Sequence, residues 1–586
     1  MALKPLDLIY VKRAFLFLIA VTPLALLLAF ASLHAGPSQA PLAGPDEAKT
    51  YSSSGKPNVI VIMTDDQSKK AFGPKIMPLT FKAIGPQAGG TLFTQGFAVP
   101  PLCCPSRAGF ITGQYPHNHG VWQNNYALLE DKENVISTWL KLAGYRTALV
   151  GKYLNKYELA VTGDKEISPR IPLPPSYDYV YQTLTSGYRN YYVSVGGQRK
   201  RHGSAGTDYV TNVLNRKAVS FIKGHASGEH KDSPFFLYLA HFAPHPGKSD
   251  HPSCRGRGSA DVMRQDWREW GKKPVVLGAN FNESDISDKP APERGNPKLT
   301  AAEVERAKTR LRCARAAMAP VDRGVRDIVQ TLRHHKILDD TVIFFVSDNG
   351  FFYGEHRILM GKNRPYREAM EVPFLAWVPS KWIGQDAPGR VDQPVGTIDL
   401  APTILDLAGL GGWRPRAFDG MSLRPALEGR KLDREWLLFE QRKPCRKYSS
   451  VLDIATNTLY SVWFDRNPVA GKCQTVGREL YHLNSDPDQL HNQLTKLKGD
   501  PAVTNRKARQ KAKRQLQQAL RQCNRKRTAK ARKRCRQAAR RKIQRARKRA
   551  PASVSDLIRA EVQRLEGLRL KLSSCSGEEC RRPVKG

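Results

Sequence analysis

Acidic residues are scarce in this chain: 53 Asp and Glu stand against 94 Lys and Arg in 586 residues, a formal charge of +41. Between positions 501 and 550 they are absent altogether, and the same stretch holds 22 Lys or Arg. More than half of the excess sits in that one segment, so the rest of the chain is only moderately basic. This weakens a nucleic-acid-binding reading, which needs the basic face on the folded domain itself. No Cys-x-x-Cys pattern occurs, which argues against a structural zinc site. No internal repeat is present. Apolar residues are not lacking: at 40% they suffice for a large core and exclude a wholly disordered chain. Length alone suggests about four units of roughly 150 residues, or one large α/β domain with appendages.

One long apolar run occurs, from Ala14 to Ala31, broken only by Thr22 and Pro23. Lys12 and Arg13 precede it and the small residues Ala35, Gly36, Ser38 and Ala40 follow, the layout of a secretory signal. At 18 residues the run is also long enough for an N-terminal membrane anchor. Residues 1–40 therefore read as a signal peptide or anchor and 41–56 as a linker, placing the protein outside the cell or on its surface. Ten cysteines suit that compartment. Cys103 and Cys104 are adjacent and stand apart; sequential pairing of the other eight would close four loops, although spacing alone does not fix connectivity.

Asn58-Val-Ile-Val-Ile-Met-Thr64 is a β-branched apolar run of the kind found in a strand buried on both faces. Thr147–Val150, Phe235–Leu239 and Thr341–Val346 are further buried strands, and Ala302–His335 reads as a long helix. Strands alternating with helices predict an α/β domain with a large, mostly parallel sheet over 57–430. Functional groups of such sheets gather at the carboxyl ends of strands. Asp65-Asp66 and Asp348-Asn349 fall there. They offer only oxygen ligands, which suits calcium, or less well magnesium, rather than zinc, although such residues also serve in turns and helix caps. Residues 251–300 read as a long surface insertion, and short strand-like runs at Trp436–Phe439 and Thr458–Trp463 predict a smaller α+β subdomain over 431–497. The Gln-, Ala-, Arg- and Lys-rich segment 498–586 reads as a basic, partly helical tail too poor in apolar residues for a core of its own.

Between the two acidic pairs lies Cys103-Cys-Pro-Ser-Arg107, followed by Thr112-Gly113. This matches the C-x-P-S-R…T-G signature of type I sulfatases. VIMTDDQ (61–67), TGQYPHNHGV (112–121), GKY (151–153), APHPG (243–247), FFVSDNG (344–350), GEHR (354–357), GKNRPYREAMEVPF (361–374) and ELYHLNSDPDQLHNQL (479–494) follow in the family's order. The chain resembles this family, of alkaline phosphatase-like fold, from about Asn58 to Leu497. Its double-Cys motif is most similar to the N-acetylglucosamine-6-sulfatase and heparan endosulfatase branch.

The resemblance implies a sulfuric ester hydrolase acting on a sulfated sugar or polysaccharide. Its nucleophile would be formylglycine, made by a formylglycine-generating enzyme from Cys103, the position fixed by counting back from Pro105 and Arg107. It implies that Asp65, Asp66, Asp348, Asn349 and modified Cys103 hold calcium. It also implies that Arg107 positions the hydrated aldehyde, while Lys152, His245 and Lys362 hold the sulfate and assist the leaving group. Many relatives carry a histidine two positions after the lysine of GKxH; here that residue is Leu154, so the general-acid role rests on His245, with His241 as second choice. A phosphoester or phosphonate hydrolase of the same superfamily is the competing enzyme reading. The non-enzymatic one is a polyanion-binding protein, residues 501–550 attracting sulfated polymer or an anionic membrane surface, with nucleic acid a poor fit for an exported chain.

Overall fold

The computed structural model describes residues 55–164, 167–256, 258–441, 447–466, 473–495 and 554–581, with a few positions between 518 and 541. The expected signal or anchor, nearly all of the linker and most of the basic stretch 501–550 lie outside the described residues. Among the described residues no helix is long and apolar enough to cross a membrane.

The principal sheet has ten strands: β1 (Asn58–Asp65), β2 (Thr91–Phe93), β3 (Arg146–Gly151), β4 (Tyr179–Thr183), β5 (Tyr192–Val195), β6 (Gln198–Arg201), β7 (Phe235–Pro244), β8 (Thr341–Ser347), β9 (Phe374–Trp377) and β10 (Arg390–Val391). Their order is β10-β2-β9-β8-β1-β7-β3-β4-β5-β6. The five central strands, β8-β1-β7-β3-β4, are parallel, as the β-branched runs predict. The flanks are not: β9 runs antiparallel to β8, and β4, β5 and β6 form an antiparallel meander. The sheet is therefore mixed, with a parallel centre.

Alternation along β1 sends its residues to two cores. Val59, Val61 and Met63 join Val342, Phe344 and Val346 on one face, against Cys104, Ala108 and Ile111 of helix α1 (Cys103–Thr112). Ile60 and Ile62 join Ile343 and Phe345 on the other, beneath helices α2 (Val210–Ala226) and α3 (Ala301–His334). Helix α3 starts where Thr300 and Glu303 form a reciprocal capping box, which satisfies two otherwise orphaned N–H groups. Register aligns the strand ends: Thr64 lies opposite Ser347, Asp65 opposite Pro244, and Gly151 opposite Ala240. Whatever follows these four strands is brought to one place.

Segment 251–300 is more than a surface insertion. Its charges pair inward: Asp266 accepts two hydrogen bonds from Arg323 of α3 (2.8 and 3.0 Å), and Lys289, fully buried, lies 3.2 Å from Glu283. The composition looked solvated, but Asp266 finds its partner on a distant helix, and buried Lys289 donates to the Gln489 carbonyl (2.6 Å) as well as facing Glu283 of its own segment. A disulfide joins Cys254 to Cys313 of α3, and another joins Cys575 to Cys580, both as sequential pairing expects.

The second sheet, β11 (Trp436–Gln441), β12 (Tyr448–Asp453), β13 (Thr458–Arg466) and β14 (Cys473–His482), is antiparallel throughout. It shares a core with Phe97, Tyr366 and Met370 of the large domain. That core is completed from the segment expected to be a tail. Helix α4 (Val554–Leu572) buries Ile558, Leu565, Leu568 and Leu572, and the Cys580 carbonyl accepts a hydrogen bond from Trp436 Nε1 (2.8 Å). Few apolar residues are needed when their spacing puts them on one helical stripe. Residues 554–581 thus belong to the folded body rather than to a tail.

A chain cut before position 501 loses α4 as well as the basic stretch. Four buried aliphatic side chains, each contributing about 1.5–3 kcal/mol, go with it, so the thermal midpoint should fall by several degrees in calorimetry. Replacing the Lys and Arg of 501–550 with Gln in the full chain should leave that midpoint in place and weaken heparin retention at low salt. Unchanged retention would remove the polyanion-binding role.

Candidate active site

Four strand ends build the site. Asp65 closes β1, and Asp66 follows in the left-handed region (φ 65°), where Asp is tolerated better than most residues. Its N–H donates to Asp348 Oδ1 (3.2 Å), just past β8. At the end of β3, Gly151 has φ 111°, and a Cβ there would lie 1.9 Å from the Ala240 carbonyl oxygen. Only glycine allows this approach, which lets the Lys152 N–H donate to that same oxygen (2.9 Å) and sends the lysine toward the cluster. His245 follows β7. Lys362 arrives from the loop before Arg367–Met370, and Cys103 is the first residue of α1, all ten of whose residues are buried.

Three carboxylates and three cations meet here out of water. Arg107 donates through Nε to Asp348 Oδ2 (2.8 Å), through one terminal nitrogen to the Lys152 carbonyl (2.9 Å) and Tyr238 Oη (3.1 Å), and holds the other 3.8 Å from Asp65. Lys152 binds Asp65, and Lys362 binds Asp66. Asp65, Asp66, Asp348, Asn349, Cys103 and Arg107 are all 0–1% exposed. Burial alone would raise Asp65 strongly, but Lys152, with His245, Lys362 and Arg107, outweighs it and holds the carboxyl below the usual carboxylate range. Burial would likewise discharge Lys152 and Lys362; Asp65 and Asp66 respectively reverse this and keep both ammonium groups charged.

Cys103 lies within this cluster. Its Sγ is 3.3 Å from Asp65 Oδ1 and 2.7 Å from Lys362 Nζ. Burial first, then Asp65, push the thiol pKa well above its ordinary value, so unmodified Cys103 is a protonated and poor nucleophile. Cys104, one step round the helix, is turned into the core; burial raises its pKa to about 12, and its N–H donates to Asn124 Oδ1 (3.0 Å).

The His245 ring is oriented by Nδ1, which donates to the Pro246 carbonyl (2.6 Å). Nε2 is left 3.6 Å from Asp66 Oδ2, at the edge of a cleft of about 1040 Å³ that Asp66, His245 and Lys362 line together. The second-choice histidine differs. His241 is buried, burial lowers its pKa to about 3, and it does not line the cleft. His117 is engaged by Glu440 and the Cys575 carbonyl, and His119 Nδ1 accepts from the Val121 N–H (3.0 Å). Within the basic loop Arg357, Arg364 and Arg367 bond the Glu283 carbonyl, Glu293 and Glu371, whereas Lys362 reaches the cluster. Leu154 packs in the core.

The oxygen donors suit a hard cation. Asp66 Oδ2 and Asn349 Oδ1 are buried without a hydrogen-bond partner, and one donor atom from each of Asp65, Asp66, Cys103 and His245 lies within 4.8 Å of the others. Two contributors were not singled out in the sequence. Tyr238 anchors Arg107 from the middle of β7, where only strand alternation could have pointed to it; the loop after His245, which walls the cleft, carries no periodic signal.

The mixed sheet with its parallel centre, and the helix headed by Cys103 at the carboxyl ends of the central strands, make up an alkaline phosphatase-like fold. A family model described as Sulfatase matches residues 57–410, and the chain belongs to that family: it is a sulfuric ester hydrolase. It is 28% identical to the N-acetylglucosamine-6-sulfatase of Homo sapiens over 473 residues, 75% of this chain and 81% of that protein. Among solved structures, one determined in complex with its substrate D-glucosamine-2-N,6-O-disulfate has a TM-score of 0.57 at 20% identity, covering 77% of this chain and 96% of that one. The phosphonate monoester hydrolase of Agrobacterium radiobacter shares the fold as well, with a TM-score of 0.56 at 19% identity over 78% of this chain and 94% of its own.

The two adjacent cysteines should behave oppositely. Cys103→Ala should abolish sulfate release with the fold intact by circular dichroism. Cys104→Ala, a small trim of a packed core costing about 1 kcal/mol, should retain substantial turnover.

Proposed function

We propose that the chain is an exported sulfatase that removes sulfate from a sulfated sugar, using formylglycine at position 103 and a calcium ion. The observation that carries this is the placement of Cys103: buried at the head of α1, in contact with Asp65 and Lys362, where a raised thiol pKa leaves the cysteine itself unsuited to attack. An aldehyde there supplies, as its hydrate, an oxygen nucleophile in place of the thiol. Asp65, Asp66, Asp348 and Asn349 would hold the cation, which contributes positive charge opposite the ester oxygens.

The remaining work belongs to the protein's own side chains. Lys152 and Lys362 present charged ammonium groups to the sulfate, whose negative charge takes the place of a carboxylate each lysine now contacts. Arg107, clamped by Asp348, Tyr238 and the Lys152 carbonyl, keeps one buried terminal nitrogen without a hydrogen-bond partner for the group at position 103. His245, fixed through Nδ1, offers Nε2 at the cleft edge to hold or give the proton the departing alcohol needs. Desolvation strengthens each of these contacts. The sugar substrate follows from the relatives: both the human protein and the substrate-bound structure are named for sulfated glucosamines.

Intact mass of the tryptic peptide containing position 103 should show conversion of Cys103 to formylglycine in protein made with a formylglycine-generating enzyme. Purified protein should release sulfate from 6-sulfated N-acetylglucosamine and leave phenyl phosphonate esters largely untouched; the reverse preference would install the phosphonate reading. Asp65→Ala and Asp348→Ala should each lose most activity and the bound calcium measured by atomic emission. Near-wild-type turnover and metal content in both would refute the assignment.

A further inference from the structure

The cleft carries two cations that the reaction site does not use. Lys248 and Arg255 line it together with His245 and Lys362, yet both are exposed and neither takes part in a salt bridge among the described residues. Half-buried arginines such as Arg323 and Arg364 are spent on structure, on Asp266 and Glu293, whereas Lys248 and Arg255 differ from other exposed cations in lining the cleft. The one acid beside them, Asp250, lies 3.9 Å from Arg189.

The loop that holds them is braced at both positions. Gly247 N–H donates to the Ser259 carbonyl (2.9 Å) and closes the base of the loop, with Lys248 the next residue. Buried Asp261 accepts from Ser249 Oγ (2.8 Å), the Asp250 N–H (3.0 Å) and Arg189 Nε (3.1 Å), fixing the turn from inside. At the far end the disulfide ties Cys254 to α3, and Arg255 follows it directly. A braced backbone lowers the ordering cost of binding through these side chains. The cleft itself, about 1040 Å³, is at the top of the range for small-molecule sites and has room beyond one sulfated sugar.

We propose, building on the sulfatase reading, that Lys248 and Arg255 form a second anion subsite, which holds another negatively charged group of the same glycan while its sulfate ester lies at Cys103. The shared chemistry is an oxyanion, supplied either by a further sulfate or by a uronic carboxylate. Arg255 can take either in a two-pronged hydrogen bond, and Lys248 adds a point charge. This makes the enzyme selective for multiply charged chains rather than for isolated monosulfated sugars.

The test is a ratio. kcat/KM is measured for 6-sulfated N-acetylglucosamine, for glucosamine 2-N,6-O-disulfate, and for a 6-sulfated disaccharide bearing a uronate. K248A and R255A should each lower the preference for doubly charged over singly charged substrate by about tenfold, the size of one charge-assisted hydrogen bond, chiefly through KM. K248R should keep most of it, whereas R255K, which keeps the charge but not the two-pronged contact, should keep only part. Loss on the disulfate alone identifies sulfate as the occupant, and loss on the uronate alone identifies carboxylate. An unchanged ratio in the K248A/R255A double variant, folded by calorimetry, would overturn the subsite. If the wild-type protein cleaves none of these sugars, the sulfatase reading fails by itself. The subsite is then judged by titration calorimetry with the same sugars, where equal affinities in wild type and double variant overturn it and a selective loss for the doubly charged sugars upholds it.

Discussion

Everything at the site depends on one electrostatic balance held in place by strand register. Three carboxylates could not be buried together at the ends of β1 and β8 without three cations brought to the same spot from α1, β3 and the loop containing Lys362. Each partner is supplied by a different part of the chain, so the cluster ties distant segments into a single arrangement. Removing one member of a buried ion pair leaves the other uncompensated, at about 3–5 kcal/mol. Such a cluster is a weak source of net stability, because desolvation offsets most of the attraction. What the cluster does is link β1, β3, β8, α1 and the Lys362 loop through mutual charge contacts.

The same balance explains why the site suits an anionic ester. Two of the cations are lysines whose ammonium groups reach the cluster from its edge, with side chains 13% and 14% exposed, whereas Arg107 is sealed beneath them. The sealed cation fixes geometry, and the edge cations can exchange a carboxylate contact for a sulfate oxygen. A divalent ion among the carboxylates would free both lysines to do so, since its charge replaces theirs. Metal and substrate are thus complementary in charge.

Much of this was legible in the sequence. The β-branched runs gave the parallel centre, and the nine candidate site residues lie together in the fold. The antiparallel flanks were not legible, since β2, β9 and β10 are too short to carry a period-two signal. Residues 251–300 misled because charge composition does not report long-range partners: Asp266 reaches Arg323, Glu283 reaches His356, and Lys289 reaches the Gln489 carbonyl. Helix α4 was hidden by average composition: a stripe of four aliphatics is diluted by the lysines and arginines around it. Of the two histidines weighed in the sequence, His245 follows the strand and lines the cleft, whereas His241 lies buried within the strand.

The small sheet has a role beyond completing a core. Glu479 on β14 accepts hydrogen bonds from Tyr366 Oη (2.8 Å), Trp463 Nε1 (2.5 Å) and Tyr481 Oη (2.6 Å), and Tyr448 Oη reaches Asn363 Oδ1 (3.4 Å). Tyr366 and Asn363 belong to the segment that carries Lys362, so the second sheet braces the lysine from behind. On the opposite wall of the cleft, the loop after His245 is braced by Asp261 and by the disulfide to α3. The site residues at the ends of β1, β3, β7 and β8 are held by the sheet itself, but Lys362 and the cleft-lining cations sit on loops that no sheet register can fix. Each is secured by a buried acid acting as an acceptor, Glu479 on one side and Asp261 on the other. A single buried carboxylate that gathers several donors can order a loop whose own sequence has no regular structure. That is how a cleft lined by irregular loops keeps its charged groups in position.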